Sequence, residues 1–115
     1  MNLDTLLFRR FFGLATALLV SACGPPSVCD RLPGVQSVVT QRRGSCAVTL
    51  TLGTVDGCEA ALSAGRCSAE DERGVGRVYD CYARLPACVP GSEVSWLSQL
   101  NACGAGSGIS STCRF

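Results

Sequence analysis

The chain has 115 residues, ten arginines against nine acids, no histidine and nine cysteines. A net charge of +1 lacks the dense basic field by which proteins hold nucleic acid or anionic surfaces. Without histidine, the usual base for a serine or cysteine nucleophile is missing, and so is the commonest nitrogen ligand for a metal.

The chain opens with Met1 to Arg10, closed by the pair Arg9 and Arg10, and continues with the uncharged run Phe11 to Val20. Charge followed by an apolar stretch is the order of a secretory signal. As a helix this run reaches about 15 Å against about 30 Å of bilayer hydrocarbon, so it suits translocation rather than a permanent span. Small residues precede Cys23. The alternatives are a buried N-terminal helix and ordinary signal cleavage that releases a soluble product.

The run Val20, Ser21, Ala22, Cys23 resembles the lipobox of bacterial lipoprotein precursors. That resemblance implies removal of residues 1–22, acylation of Cys23 on sulfur and amine with palmitate-type chains, and the lipid bilayer as a partner. Gly24, where a retention signal would place aspartate, implies outer-membrane placement facing the periplasm. The expected organisation is a signal peptide over 1–22, a lipidated tether over 23–28 and one domain over 29–115.

With Cys23 assigned to lipid, the even set Cys29, Cys46, Cys58, Cys67, Cys81, Cys88, Cys103 and Cys113 remains. A domain of this size buries only about 60 to 65% of its extended surface and needs staples. Gaps of 16, 11, 8, 13, 6, 14 and 9 residues separate these cysteines, and none forms Cys-x-x-Cys. Zinc knuckles, iron–sulfur loops and thiol oxidoreductases need close thiol pairs. The reading is four disulfides with no metal and no cofactor, and with connectivity open among about a hundred pairings.

Pro25 and Pro26 keep the tether extended, within roughly 15 to 20 Å of the membrane. Pro33 then opens a helix toward Arg43, stopped by Gly44. The β-branched residues of 35–41 leave a hairpin open as well, turning at 42–44 and pairing with Cys46 to Leu52. Cys46, Val48, Leu50 and Leu52 alternate with Ala47, Thr49 and Thr51, the period of an extended segment. Asp56 and Glu59 read as a capping pair for a short helix over 57–65.

Ser68 caps a longer helix whose acidic start, Glu70, Asp71 and Glu72, suits the positive end of the helix dipole. Its inward stripe is Val75, Val78, Tyr82 and Leu85, and Pro86 ends it. Gly74 and Gly76 weaken it by about 1 kcal/mol each relative to alanine. Ser92 opens the last helix, with Val94, Leu97 and Leu100 inward and Gly104 as the stop; Cys113 pins the tail. The fold class is a small, mostly α-helical, disulfide-rich domain of three to four short helices, with residues 35–52 open to one short extended segment or hairpin.

The pattern Cys58-Glu59-Ala60-Ala61-Leu62, Cys67-Ser68-Ala69-Glu70-Asp71, Asp80-Cys81 and Leu85-Pro86-Ala87-Cys88, with Cys103 beyond it, resembles small cysteine-rich lipoproteins of myxobacteria and related deltaproteobacteria. It covers about half of the mature chain. The resemblance implies a lineage, a compartment and a helical scaffold, and it transfers no active site.

Glu70, Asp71 and Glu72 are read as a solvated helix start rather than a catalytic carboxylate cluster. No catalytic residue is assigned. The expectation is a non-enzymatic, membrane-anchored binding or envelope-structural module with a protein partner and no nucleic acid. The alternative is a small protease inhibitor presenting the loop Pro86 to Gly91, and a small envelope enzyme follows behind it. Candidate contact residues are Trp96, which lies off the expected inward face of its helix, and the adjacent Arg42 and Arg43. Trp96 has a second reading as cover for the core edge against Tyr79 or Tyr82, and the arginines have one as a solvated helix end.

Overall fold

Three hydroxyl side chains set where the first three helices begin. A computed structural model describes residues 27–115, with α1 at Val28–Arg43, α2 at Val55–Ser63, α3 at Ala69–Ala83 and α4 at Glu93–Gly104. The Ser27 hydroxyl accepts from the Asp30 amide, and the Asp30 carboxylate accepts from the Ser27 amide. Ser68 and Asp71 repeat this reciprocal box at α3. Thr54 accepts from the Gly57 amide at α2. Each bond satisfies a donor that the first helical turn leaves without a partner.

The first helix therefore starts five residues before Pro33, and Val28, expected in the tether, is its first residue. Pro33 lies inside the helix and withdraws one amide from the ladder. The turn ahead of it is held by the capping box and by the bridge from Cys29 to Cys58. Likewise α2 begins at Val55 under Thr54, so the Asp56–Glu59 pair is not its cap.

Helix α1 packs on α2 and α3, and α4 packs on α3. One buried cluster gathers Val39, Cys46, Val48, Val78, Leu85, Trp96, Leu100 and Cys103. A second gathers Cys29, Leu32, Cys58, Val75 and Tyr79. Because α1 and α3 each contribute to both, they are the elements that join them.

The hairpin does not form: residues 35–43 are helical, and no strand occurs among the described residues. The period of two survives in burial, with Cys46 and Val48 buried while Ala47, Thr49 and Thr51 are exposed. Side chains of α1 take the place of a partner strand. Arg43 Nη1 donates to the Val48 carbonyl at 3.3 Å, and Gln36 Nε2 donates to the Gly53 carbonyl at 2.6 Å.

All eight cysteines beyond residue 27 are paired: Cys29 with Cys58, Cys46 with Cys88, Cys67 with Cys113, and Cys81 with Cys103. The bridges join α1 to α2, the 46–54 segment to the loop after α3, the loop before α3 to residues 105–115, and α3 to α4. Each cross-link removes unfolded-state entropy and contributes roughly 2 to 4 kcal/mol in the chain-entropy account. The described residues form a four-helix, disulfide-stapled domain.

Gly74 is needed where it stands. A β-carbon there would lie 2.7 Å from the Ser107 carbonyl oxygen and 2.8 Å from Ile109 Cγ1. On helix propensity alone Gly74→Ala would stabilise α3 by about 1 kcal/mol. The expected result is the reverse, a loss of about 1 to 3 kcal/mol from overpacking, read as a lower denaturant midpoint. Gly76→Ala meets only Arg31 Nη1, at 3.4 Å, and serves as the control.

Candidate functional site

The signal segment 1–22, the lipid-attachment residue Cys23 and tether residues 24–26 lie outside the described residues. What the described residues assemble is a strap, a cavity under it and a braced loop.

Residues 105–115 form the strap, which has no helix of its own and is fastened to α3 and its flanks. Arg77 Nη2 donates to the Ser107 carbonyl at 2.9 Å, and the Thr112 hydroxyl donates to the Arg66 carbonyl at 3.1 Å. Cys113 is bonded to Cys67. Asp71 is the central clamp. Its carboxylate accepts from the Ser110 amide at 2.6 Å and the Ser110 hydroxyl at 3.0 Å, as well as from the amide and hydroxyl of Ser68.

This corrects the reading of Glu70, Asp71 and Glu72 as one solvated group. Asp71 is only 4% exposed, whereas Glu70 is exposed and pairs with Arg73 and Arg77. The residue that singles out Asp71 is Ser110, at a sequence distance of 39, and no local pattern near Asp71 announces it.

Hydrogen bonds from the Ser110 amide, and next from the Ser68 amide, lower the Asp71 carboxyl from its ordinary 3.8 to about 2. A carboxyl with a depressed folded-state pKa stabilises the fold above its unfolded value, and the contribution disappears as pH falls through the folded one. Strap attachment is thus expected to be constant above pH 3.8 and to weaken between 3.8 and about 2. Amide exchange at Ile109 and Ser110, followed against pH, checks it. Asp71→Asn should be looser at neutral pH and flatter across that window. Arginine contacts at Glu70 and amide contacts at Glu93 also lower those carboxyls, so some slope remains in the variant.

Beneath the strap, a cavity of about 410 Å³ lies between α1, α3 and residues 51–53. Its walls include Leu32, Val35, Val78, Tyr79, Tyr82 and Phe115. Phe115 closes against Gly53 so tightly that a β-carbon there would fall 2.6 Å from the Phe115 carbonyl oxygen. Arg31 bridges α1 and α3 nearby, with its guanidinium 5.6 Å from the centre of the Tyr79 ring and 2.6 Å from Asp80. Burial pushes both tyrosine hydroxyls above their ordinary value, and Arg31 partly offsets this at Tyr79.

Trp96 is not a contact aromatic. It is 2% exposed, and its indole Nε1 donates to the Pro86 carbonyl at 2.9 Å. Tyr82 packs against the same cluster, which is the core-edge arrangement, while Tyr79 belongs to the other cluster. The inward face of α4 is therefore Trp96, Leu100 and Cys103, and Val94, expected inward, is 84% exposed. Trp96 turns in because indole is the largest apolar group on the helix and has a carbonyl to reach.

Arg42 and Arg43 sit side by side at the end of α1, half-buried, where cations suit the negative end of the helix dipole. One Arg43 donor is used inside the fold at Val48, and the Arg42 carbonyl accepts from the Cys88 amide at 2.7 Å. They support the 46–50 segment and the loop after α3, and the structure does not bring them together with Trp96 as one surface.

That loop, residues 86–91, is braced at Cys88 by its bridge to Cys46 and at Pro86 by Trp96. At its tip the Val89 carbonyl accepts from the Ser92 amide at 2.9 Å and the Ser92 hydroxyl at 2.7 Å. Ser92 consequently gives α4 no side-chain cap. Among the described residues Val89, 63% exposed, and Val94 are the large apolar side chains left in solvent. No protein-family model, no curated protein and no solved structure matches the chain.

Proposed function

We propose that this protein is a bacterial lipoprotein held in the outer membrane by acylated Cys23, facing the periplasm, whose stapled helical domain acts there as a non-catalytic binding or envelope-structural module. The observation that carries the reading is the run Val20-Ser21-Ala22-Cys23 directly after an arginine pair and an apolar stretch. The disulfide set supports it, since the eight later cysteines pair among themselves and leave none to bond Cys23. The contact surface of such a module is Val89 with Val94, two exposed apolar side chains flanking a rigid turn.

Globomycin, which blocks lipoprotein signal cleavage, is expected to make a larger precursor accumulate, with a diacylglycerol-modified Cys23 peptide by mass spectrometry. Unchanged processing overturns the anchor. For the binding role, crosslinking in intact envelopes should capture a reproducible partner that Val89→Asp and Val94→Asp lose. Turnover of a small molecule without any protein partner overturns it.

The second reading, a protease inhibitor working through the 86–91 loop, is favoured by the exposure and bracing of Val89. It is opposed by the Val89 carbonyl, which Ser92 already occupies and which a substrate-like strand in a protease cleft would need free. Recovery of an envelope protease as the crosslinked partner would promote this reading.

A further inference from the structure

Among the described residues, three buried side-chain polar atoms have no hydrogen-bond partner: Nε of Arg42, Nε of Arg43 and the Tyr79 hydroxyl. An arginine has further donors to use, and Arg43 uses one at Val48. Tyrosine has a single polar atom, so at Tyr79 nothing compensates. The residue is 5% exposed and stands in the wall of the cavity beneath the strap.

The cavity's volume of about 410 Å³ falls in the range of small-molecule sites. Its walls are apolar around Tyr79, with Leu32 and Val35 from α1, Val78 from α3 and Phe115 from the strap. Arg114, the charged residue in the lining, is exposed at the mouth. Arg31 beside Tyr79 is engaged by Asp80, and Arg114 lies in solvent, so an ionic group drawn among the apolar walls would lose its hydration without an unpaired buried charge to meet it.

We propose that this cavity binds a small uncharged apolar molecule carrying one hydrogen-bond acceptor, which packs on Leu32, Val35 and Val78 and accepts a hydrogen bond from the Tyr79 hydroxyl. Burial keeps that hydroxyl protonated and therefore a donor. The hydroxyl is sealed from solvent, so binding requires the packing around it to loosen. This ligand class rests on the binding half of the proposed function and is independent of acylation at Cys23. Failure here leaves precursor processing as it was, and failure of processing leaves the cavity as it was.

The test uses the full oxidised chain with carbon-13-labelled tyrosine, whose two residues give two resolvable signals. The probes are acetophenone and α-methylstyrene, which share a shape but differ in the carbonyl oxygen. Acetophenone is expected to shift both tyrosine signals saturably and to bind about fivefold more tightly than the hydrocarbon, the worth of one net hydrogen bond. Tyr79→Phe should erase that preference while leaving hydrocarbon binding unchanged. Val35→Phe, which fills the cavity, should abolish both. Two probes of equal affinity on the unaltered protein, a ketone preference that survives in Tyr79→Phe, or no saturable shift would each overturn the proposal. The two-probe comparison needs no variant to fold.

Discussion

Trp96→Ala is expected to destabilise the oxidised protein by about 3 to 5 kcal/mol, the range for emptying a buried large aromatic site. The indole is 2% exposed and lies among Val39, Val78, Leu85 and Leu100, where four bridges restrict how far the surroundings can collapse into the void. Truncation also strips the Pro86 carbonyl of its donor, 2.9 Å away, at the base of the exposed loop. Trp96→Phe separates the two effects. It keeps most of the ring and loses the donor, with an expected cost of about 1 to 3 kcal/mol. Because Trp96 is the chain's one tryptophan, the unfolding must be followed by circular dichroism. A loss below about 1 kcal/mol for alanine would show that the indole packs far more loosely than its burial indicates.

Replacing Cys67 and Cys113 together by alanine is expected to cost roughly 4 kcal/mol, since their separation of 46 residues is the longest of the four bridges. The separation of 22 between Cys81 and Cys103 predicts a slightly smaller loss, roughly 3 kcal/mol. What differs more is where the loss is felt. Helix α4 packs on α3 through its own buried face, so without Cys81–Cys103 it retains a docking surface. The strap has no helix, and without Cys113 it keeps Asp71, Arg77 and Arg66 as its polar fastenings. Amide exchange at Ile109 and Ser110 should therefore accelerate before global unfolding in the Cys67/Cys113 variant, and α4 amides should not. Uniform acceleration would show that the strap and the helices unfold as one unit.

What was legible in the sequence divides by range. Ser68 and Pro86 bracket α3 from information within a few residues, and the structure uses Ser68 as the cap. The box Ser27–Asp30 is equally local, yet Pro33 is a competing start signal, because proline more often starts a helix than sits in its second turn. On α4 two stripes compete, Val94-Leu97-Leu100 and Trp96-Leu100-Cys103, and both fit helical spacing. The choice between them depends on the Pro86 carbonyl and on the bridge to Cys81, neither of which periodicity contains. Asp71 and Gly74 follow the same rule. A helix-start acid and a helix-weakening glycine take their meaning from Ser110, Ser107 and Ile109, which reach them only after the strap has folded back.

The order of the bridges carries a demand on biosynthesis. Cys46 stands between Cys29 and Cys58, Cys88 stands between Cys81 and Cys103, and each of the other two bridges encloses several foreign cysteines. Among the described cysteines no bond joins neighbours along the chain. If the chain is secreted with Cys23 acylated, as proposed, an oxidant that acts on the remaining thiols in chain order would join Cys29 to Cys46 first and produce a scrambled product. Correct maturation thus requires either that oxidation wait for the helices to assemble or that an isomerase reshuffle early mispairs. Yield in an oxidising compartment should depend on isomerase capacity more than on oxidising power.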